Sequence, residues 1–284
     1  MSVLYVVATP IGNLNDISSR CLEILKNCDY IIAEDTRHTL KLLSHYDIHK
    51  KLVSYHEHNE ISRTEEIIND LKNNNIEIAL VTDAGTPCIS DPGYMIVNKA
   101  REAGIEVLGI PGPSAVITAL SISGFEINSF VFYGFLSREN KQRRAAIEDI
   151  KKSKEEIFVL YESPKRIKKL LEELIIEFPE SEISISCDLT KLHEKTIVGK
   201  IEDIKKQVEE NPNSELGEYV IIFKKINIEE TKEEISAEAL LIDYLIKNPD
   251  TTLKIAKEEI ARTGVAKNKL YDAAENLKKR VGKL

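Results

Sequence analysis

The length, composition and charge of the chain exclude several classes of protein. Its 284 residues, 42% of them hydrophobic, suffice for one large domain or two ordinary ones, and its four cysteines show no metal-like spacing. No apolar stretch approaches the ~20 residues that span a bilayer, so we expect a cytoplasmic protein with reduced thiols rather than a membrane protein. The net charge of −8 argues against a general nucleic-acid binder.

Up to Ile122, predicted strands alternate with predicted helices. The apolar, β-branched run at the N-terminus predicts a buried strand rather than a signal peptide, and Gly104 marks the end of a helix. The predicted strands are Val3–Ala8, Tyr30–Ala33, Leu52–Tyr55, Ile76–Thr82 and Ile105–Ile110, and the predicted helices are Ile17–Lys26, Thr39–Tyr46, Ile61–Lys72, Tyr94–Ala103 and Ser114–Ile122. This order predicts a mostly parallel sheet covered by helices on both faces.

A second α/β segment follows a boundary near Pro111–Ser114. Its predicted strands are Phe130–Phe135, Glu156–Tyr161, Ile183–Cys187, Lys195–Lys200 and Glu218–Lys224, and its predicted helices are Asn140–Lys152, Ser163–Phe178 and Ile201–Glu210. Ser163 is expected to cap its helix, with Pro164 in the first turn. We therefore predict α/β domains at residues 1–113 and 114–226.

The end of the chain is predicted to be a small helical module at residues 235–284. It follows a charged linker, Ile226–Glu234, and Gly264 separates its last two helices. The predicted helices are Ala237–Lys247, Thr252–Arg262 and Lys267–Lys279. The residues predicted to form its core are Leu240, Leu241, Tyr244, Leu245, Leu253, Ala256, Ile260, Leu270, Tyr271, Ala274 and Leu277.

Two basic patches stand out against the acidic background. From Thr252 to Leu284 there are nine Lys/Arg and four Asp/Glu, a net charge of +5. In the module, the side chains expected to point outward are Lys254, Lys257, Lys267, Lys269, Lys278, Lys279 and Arg280. The second patch is Arg138, Lys141, Arg143 and Arg144, opposed only by Glu139. Such patches can meet RNA phosphates, although a basic run can also be just a solvated face.

Three loops rich in Gly and Pro follow strands of the first predicted sheet. They are TPIGN (Thr9–Asn13), DAGTPCISDPG (Asp83–Gly93) and PGPSA (Pro111–Ala115), the last with Ser114 as a helix N-cap. Ligands of open α/β sheets bind at the carboxyl edge of the strands, so these loops indicate a small-molecule pocket. Each could instead be an ordinary connection, and the chain has neither GxGxxG nor GxxxxGK[ST].

Two polar blocks should lie on the same edge of the sheet. They are AEDTRHT (Ala33–Thr39) and SYHEHNE (Ser54–Glu60). Their titratable side chains could supply acid/base groups, bind a metal, or form salt bridges that order the two loops. The residues concerned are Glu34, Asp35, Arg37, His38, His56, Glu57 and His58.

The order of these blocks resembles that of the ribosomal RNA small-subunit methyltransferase I family, in the tetrapyrrole-methylase superfamily. The matching blocks are TPIGNLNDIS, AEDTRHTLKLL, YHEHNE, TDAGTPCISDPGY, IPGPSAVITALSISG, FYGFL, YESPKR, DLTKLHE and GEYVIIF. The resemblance spans Val3–Phe223, and the tail resembles the family's small C-terminal helical domain. It implies a homodimer of chains with two α/β domains and S-adenosyl-L-methionine in the cleft between them. It also implies methylation of a cytidine ribose 2′-hydroxyl in the decoding region of 16S ribosomal RNA, within the small ribosomal subunit.

The resemblance assigns cofactor contacts by position. Asp83, Gly85 and Thr86 would hold S-adenosyl-L-methionine from the first domain, over Pro10, and Ser114 and Ala115 would contact it at the hinge. From the second domain it would be held by Tyr161, Leu189, Gly217 and Glu218. The chain departs from the family pattern at Cys187-Asp188, where Arg-Glu is usual, at Lys165, where His is usual, and at Cys88.

The implied chemistry is in-line transfer of the sulfonium methyl group to a ribose oxygen, without a metal. Candidates for the base are Glu34, His56 and Glu57, with Lys191 and Arg37 as electrostatic or phosphate contacts. The residues expected to contact RNA are Arg37, Arg138, Lys141, Arg143, Arg144, Lys267 and Lys269. Two alternatives stay open: a tetrapyrrole methylase of the corrin or sirohaem type, and a non-catalytic ribosome-assembly factor that binds RNA.

Overall fold

The computed structural model describes residues 1–226, 236–249, 251–263 and 265–281. The chain divides into two compact units, Met1–Ile226 and Asn227–Leu284. The predicted linker after Ile226, the predicted break at Gly264 and the side chain of Arg280 lie outside the described parts. The described helices include none long and apolar enough to cross a membrane.

The first sheet is entirely parallel. Its strands are β1 (Val3–Val7), β2 (Tyr30–Ala33), β3 (Lys51–Ser54), β4 (Glu77–Val81) and β5 (Glu106–Ile110), in the order β3-β2-β4-β1-β5. A short 3-10 helix (Leu14–Asp16) follows β1, and the α-helices are α1 (Ser19–Asn27), α2 (Thr36–His45), α3 (Glu60–Asn73), α4 (Tyr94–Glu102) and α5 (Ala115–Ile122). Apolar side chains pack on both faces of the sheet, which explains the nearly continuous apolar strand sequences.

The second sheet is mixed. Its strands are β6 (Val131–Phe135), β7 (Ile157–Glu162), β8 (Glu182–Cys187), β9 (Lys195–Lys200) and β10 (Tyr219–Lys224), in the order β6-β7-β10-β8-β9. Strands β6 and β7 are parallel, and the other pairs are antiparallel. The helices of this half are α6 (Asn140–Lys152), α7 (Ile167–Glu177) and α8 (Ile201–Glu210). The predicted fold class, with two successive α/β segments that each form their own sheet, is confirmed.

The start of α7 differs from the predicted helix. A 3-10 turn, Pro164–Arg166, precedes it, and Ser163 makes no side-chain cap. The Ser163 hydroxyl instead accepts a hydrogen bond from Arg166 Nε at 3.1 Å, while its backbone amide donates to Glu162 at 2.8 Å. The expected cap is therefore replaced by contacts with charged neighbours.

The described part of the second unit contains three helices, as predicted. They are α9 (Ala237–Lys247), α10 (Leu253–Arg262) and α11 (Lys267–Val281), packed around Leu241, Ala256, Ile260, Leu270 and Ala274. The prediction that Tyr271 joins this core is wrong, because its side chain is 61% exposed. Its neighbour Leu270 takes the buried position on α11, and Lys257 Nζ lies 3.7 Å from the centre of the Tyr271 ring. Lys257 thus covers an aromatic ring rather than pointing freely outward.

Candidate functional site

Three neighbouring strands bring the Gly/Pro loops together. Because β1 lies between β4 and β5, the loops that follow these strands meet at one edge of the sheet. Thr9 and Gly85 exchange backbone hydrogen bonds of 2.9 and 3.0 Å, and the Thr86 hydroxyl donates to the Pro113 carbonyl at 3.3 Å. Gly85 has a φ of +82°, a conformation that favours glycine. The loops therefore form one connected wall.

A cavity of about 390 Å³ opens beside this wall, a volume typical of small-molecule sites. The second sheet supplies its opposite side. Residues of the first half that line it are Ile11, Ala84, Gly85, Thr86, Ile89, Ser90, Asp91, Ser114 and Ala115. Residues of the second half that line it are Phe135, Tyr161, Glu162, Ser163, Pro164, Leu189, Gly217, Glu218, Tyr219 and Val220.

The two halves also touch directly at one end of the cavity. The Asn13 amide donates to the Thr190 hydroxyl at 3.0 Å. At Gly12 a Cβ atom would lie 2.7 Å from Lys191 Cγ and 2.8 Å from the Leu189 carbonyl oxygen. Only glycine fits this contact, so the loop after β1 closes against the loop after β8.

An ion-pair cluster forms the rim of the cavity next to that contact. Lys191 Nζ lies 2.8 Å from Asp188 Oδ1 and 2.9 Å from Glu218 Oε2. Burial lowers the pKa of Lys191, but the hydrogen bonds to Asp188 and Glu218 outweigh it and raise this pKa above its usual value. Both Asp188 and Thr190 have positive φ, at +52° and +65°, a conformation uncommon for residues other than glycine. The charge of Lys191 is thus held at the rim and largely neutralised there.

Aromatic rings line another part of the cavity. Tyr161 packs edge-on against Phe132, with ring centres 5.2 Å apart, and against Phe135 at 5.4 Å. Burial, and next the charge of Asp91, raise the pKa of Tyr161 to about 12. Its hydroxyl therefore stays neutral at physiological pH, and its ring offers a flat apolar surface.

Glu162 is fully buried and anchors the wall formed by Ser163 and Pro164. Its carboxylate accepts from the Ser163 amide at 2.8 Å, from Arg166 Nη2 at 2.6 Å and from Arg143 Nη1 at 3.3 Å. Arg143 also donates to Glu173, and its side chain is only 4% exposed. This burial contradicts the prediction that Arg143 contacts RNA, because its guanidinium lies inside the protein.

Asp91 is the carboxylate that the structure adds to the predicted site. It lines the cavity, and its pKa is raised to about 6 by burial and by the neighbouring charges of Glu34 and Asp83, against a lowering by the Thr82 hydroxyl. The Thr82 hydroxyl donates to Glu34 at 2.9 Å. Among the described lining residues none is Lys, Arg or His, so the cavity favours a cationic ligand.

Eight of the ten residues assigned to the cofactor line the cavity. They are Gly85, Thr86, Ser114, Ala115, Tyr161, Leu189, Gly217 and Glu218. The other two lie behind its wall: Pro10 is buried, and Asp83 Oδ1 accepts from the Asp35 amide at 3.2 Å. Ser114 caps α5 as predicted, accepting from the Ile117 amide at 3.5 Å.

The predicted acid/base residues do not all reach the cavity. His56 and Glu57 lie outside its lining, and His56 Nε2 is 3.4 Å from Asn59 Nδ2. Glu34 is also outside the lining, and its carboxylate accepts a hydrogen bond from the Thr82 hydroxyl at 2.9 Å. Among the described residues, no three His, Cys, Asp or Glu side chains converge as a metal site would require.

The remaining candidates for RNA contacts are exposed. Arg37 is 88% exposed and forms a bidentate pair with Asp35, with Nη2 2.7 Å from Oδ2. Arg138, Lys141 and Arg144 are exposed around α6, and Lys267 and Lys269 are exposed on α11.

Asp91 and Glu162 are the functional candidates that sequence reasoning missed. Asp91 lies in the same eleven-residue loop as Asp83, but only Asp83 directly follows the predicted strand Ile76–Thr82 and is assigned to the cofactor by the resemblance. Glu162 belongs to the YESPKR block and could have been found as an acidic residue at the end of a buried strand.

The chain is similar in sequence to several proteins that carry the same name. Residues 3–205 match the model of the Tetrapyrrole (Corrin/Porphyrin) Methylases. Over 273 residues the chain is 41% identical to Ribosomal RNA small subunit methyltransferase I of Halalkalibacterium halodurans, covering 95% of this chain and 93% of that protein. It is 40% identical over 279 residues to the protein of the same name in Bacillus subtilis, covering 96% and 94%.

A solved structure of diphthine synthase is similar in fold, with a TM-score of 0.58. The match covers 79% of this chain and 90% of that one at 16% identity, and so indicates a common fold alone.

Proposed function

The chain belongs to the ribosomal RNA small subunit methyltransferase I family, within the tetrapyrrole methylases, and from this premise we propose that it methylates a cytidine ribose 2′-hydroxyl in the decoding region of 16S ribosomal RNA. The methyl donor we propose is S-adenosyl-L-methionine. The observation that carries the proposal is the cavity between the two sheets, built from the loops that define the family resemblance and lined by carboxylates rather than cations.

The residues of the cavity fit this donor. S-adenosyl-L-methionine carries a sulfonium and an ammonium group, which suit a cavity whose described lining contains no Lys, Arg or His. Its carboxylate suits the N-terminus of α5, where Ser114 and Ala115 line the cavity. The ring of Tyr161 and the side chain of Leu189 offer apolar contact to an adenine ring. Pro10 and Asp83 do not line the cavity, and their role is to fix the positions of the loops that do.

Methyl transfer depends mainly on the alignment of the donor's methyl group with the ribose oxygen. When bound, the donor supplies an activated methyl group, so this chain's residues need to orient the two reactants and exclude water. Gly12 and Gly217 permit the close backbone contacts around the cavity. Lys191 closes the rim, and its pairing with Asp188 and Glu218 favours a role in holding that rim over direct proton transfer.

We also propose where RNA and other partners meet the protein. Arg37, Arg138, Lys141 and Arg144 are exposed on the first unit, and Lys267 and Lys269 on the second, where they suit phosphate contacts. We propose a homodimer that works in the cytoplasm. The exposed apolar side chains Ile117 and Ile122 of α5 support a partner contact.

A ribose-methylation map of small-subunit RNA tests the proposal. RNA from a strain that lacks this protein should lose one cytidine 2′-O-methyl group, and re-expression should restore it. An unchanged map would refute the proposed substrate and favour a tetrapyrrole-ring acceptor. The names of the relatives, all small-subunit methyltransferases at about 40% identity, weigh against that alternative.

Binding of labelled S-adenosyl-L-methionine separates an enzyme from a bare RNA binder. We expect one molecule bound per chain, displaced by S-adenosylhomocysteine. A protein that binds RNA but not this donor would be an assembly factor with an unused cavity.

A further inference from the structure

Three carboxylates are among the described residues that line the cavity, and two of them are already paired with cationic side chains. Glu162 is fully buried and bound by Arg143, Arg166 and the Ser163 amide. Glu218 is 76% exposed and paired with Lys191 at the rim. In the described parts of the chain, no Lys or Arg forms an ion pair with Asp91. Asp91 is therefore the lining carboxylate whose charge is not neutralised by the protein.

Asp91 also lies where the two sheets approach each other. Its neighbour Ser90 reaches the second sheet, since a Cβ placed on Gly134 of β6 would be 3.6 Å from Ser90 Oγ. Across the cavity, the charge of Asp91 acts on Tyr161 of β7. A ligand in the cleft would meet this carboxylate with the Tyr161 ring opposite.

We propose that Asp91 is the general base that accepts the ribose proton, an inference that rests on the proposed function. The O2′ lone pair forms the new bond to the methyl carbon, and the C–S bond breaks with its electrons passing to sulfur. The O2′–H proton moves to a carboxylate oxygen of Asp91 and then leaves to water. The products are a 2′-O-methylated ribose, S-adenosylhomocysteine and one proton.

The other acidic side chains nearby are less suited to this role. Glu34 and Asp83 do not line the cavity, and Asp83 Oδ1 also accepts from the Asp35 amide at 3.2 Å. His56 and Glu57 are also outside its lining. Of the described candidates, Asp91 combines access to the cavity with a free charge.

The environment of Asp91 suits proton acceptance near neutral pH. Burial, Glu34 and Asp83 raise its pKa to about 6, while Thr82 lowers it. The other titratable groups that face it are Cys88 of its own loop and Tyr161 of β7, whose pKa values are also raised by burial and then by Asp91. A base with a pKa near the working pH is the most effective one, and it must be ionised to act. The reaction rate should therefore rise with pH through about 6 and then level off.

The test uses the full-length protein, small ribosomal subunits that lack the modification, and saturating S-adenosyl-L-methionine. In single-turnover assays, Asp91→Asn should lower the rate of ribose methylation ~10²–10⁴-fold. The dissociation constant of the donor, measured by calorimetry, should change less than about threefold, and the inflection near pH 6 should vanish. Asp91→Glu should recover part of the rate and keep an acidic limb. Glu65→Gln removes an exposed carboxylate of α3 as a matched control and should match the wild type.

Two results would overturn the proposal. If Asp91→Asn keeps the wild-type rate and pH profile, Asp91 is no base. If the variant is slow only because donor binding weakens in proportion, Asp91 holds the cofactor instead. Failure of the proposed function is a different outcome, since the wild-type protein itself would then leave the ribose unmethylated. The thermal unfolding of each variant checks that the fold is intact.

Discussion

Gly217 lines the cavity, and its backbone has a φ of +89°. The surrounding atoms leave no room for a side chain at this position. A Cβ atom there would lie 2.6 Å from Asp188 Oδ2 and 2.7 Å from Cys187 Sγ. Such a contact would displace Asp188, and with it the pairing to Lys191 at the rim. The requirement for glycine is therefore local and steric.

We predict that Gly217→Ala weakens binding of S-adenosyl-L-methionine at least tenfold in calorimetry. Gly124→Ala is the matched control, because Gly124 also has a positive φ, +75°, but nothing lies within 4 Å of its Cβ position. Both variants should lose ~1–2 kcal/mol of stability from the strained backbone. Equal donor affinity in the two variants would show that the contact with Asp188 is unimportant.

Asp91 should also make the stability of the protein depend on pH. Since folding raises the pKa of Asp91 to about 6, the fold favours the protonated acid. Its contribution to stability is present below pH ~4 and is lost as the pH rises through 6. Asp91→Asn has no carboxyl group to titrate, so its free energy of unfolding does not show this loss. Relative to the wild type, the stability of the variant should therefore increase by ~1–2 kcal/mol between pH 4 and 7. This figure is reduced for solvent screening, because the Asp91 carboxyl is partly exposed.

Urea unfolding of both proteins at pH 4.5 and 7.5 measures this difference. Glu65→Gln, an exposed substitution, should show none. A relative stability of Asp91→Asn that stays constant with pH would mean that the carboxyl group titrates normally in the fold.

At this scale the sequence predicts positions better than environments. Gly85 and Ser114 are found because their blocks follow strands, whereas Gly217, which precedes β10, comes from the family resemblance alone. Asp91 is missed because its raised pKa depends on burial and on Glu34, which follows a different strand. A long-range property of this kind leaves no local signal in the chain.

Among the elements, α6 shows where a charge pattern misleads. Its basic residues predict one exposed patch, yet Arg143 turns inward to Glu162 and Glu173 while Arg144 is exposed. Helix periodicity alone cannot reveal this, because an arginine on the inner face needs carboxylate partners from other elements, here Glu162 of β7 and Glu173 of α7.

We predict that Arg143→Ala destabilises the protein by ~3–5 kcal/mol, since it leaves buried Glu162 with one cationic partner fewer. Arg144→Ala, the adjacent exposed substitution, should change the free energy of unfolding by less than ~0.5 kcal/mol. Thermal or urea unfolding gives both values. Similar small effects for the two variants would mean that the buried pair contributes little.

Other elements follow from the sequence with small changes at their ends. The strands of the first sheet are predicted well, because burial on both faces gives apolar runs. The buried face of α11 is misplaced at Tyr271, because Leu270 and Ala274 already fill the small core. Helical periodicity alone does not show which of the adjacent residues Leu270 and Tyr271 occupies the one buried position.

For the whole molecule, the division into two units has a functional consequence. All the described residues that line the cavity lie in the unit Met1–Ile226, whereas Lys254, Lys267 and Lys279 are exposed in the other unit. Cofactor binding and part of RNA binding should therefore be separable.

We predict that truncation after Glu234 leaves the affinity for S-adenosyl-L-methionine unchanged but weakens binding to the small subunit. The salt dependence of that binding should become shallower, because fewer phosphates are neutralised. A full-length variant with Lys254, Lys267 and Lys279 changed to Gln separates loss of charge from loss of the module. Unchanged affinity of the truncated protein across a salt series would exclude the tail as an RNA-binding element.

Transfer of a labelled methyl group in a purified system tests the proposed activity directly. The protein, methyl-labelled S-adenosyl-L-methionine and unmodified small subunits should yield one label per subunit, on the 2′-oxygen of a single cytidine in the decoding region. Label on a base, label spread over many nucleotides, or RNA left unlabelled by a protein that binds the donor would contradict the account.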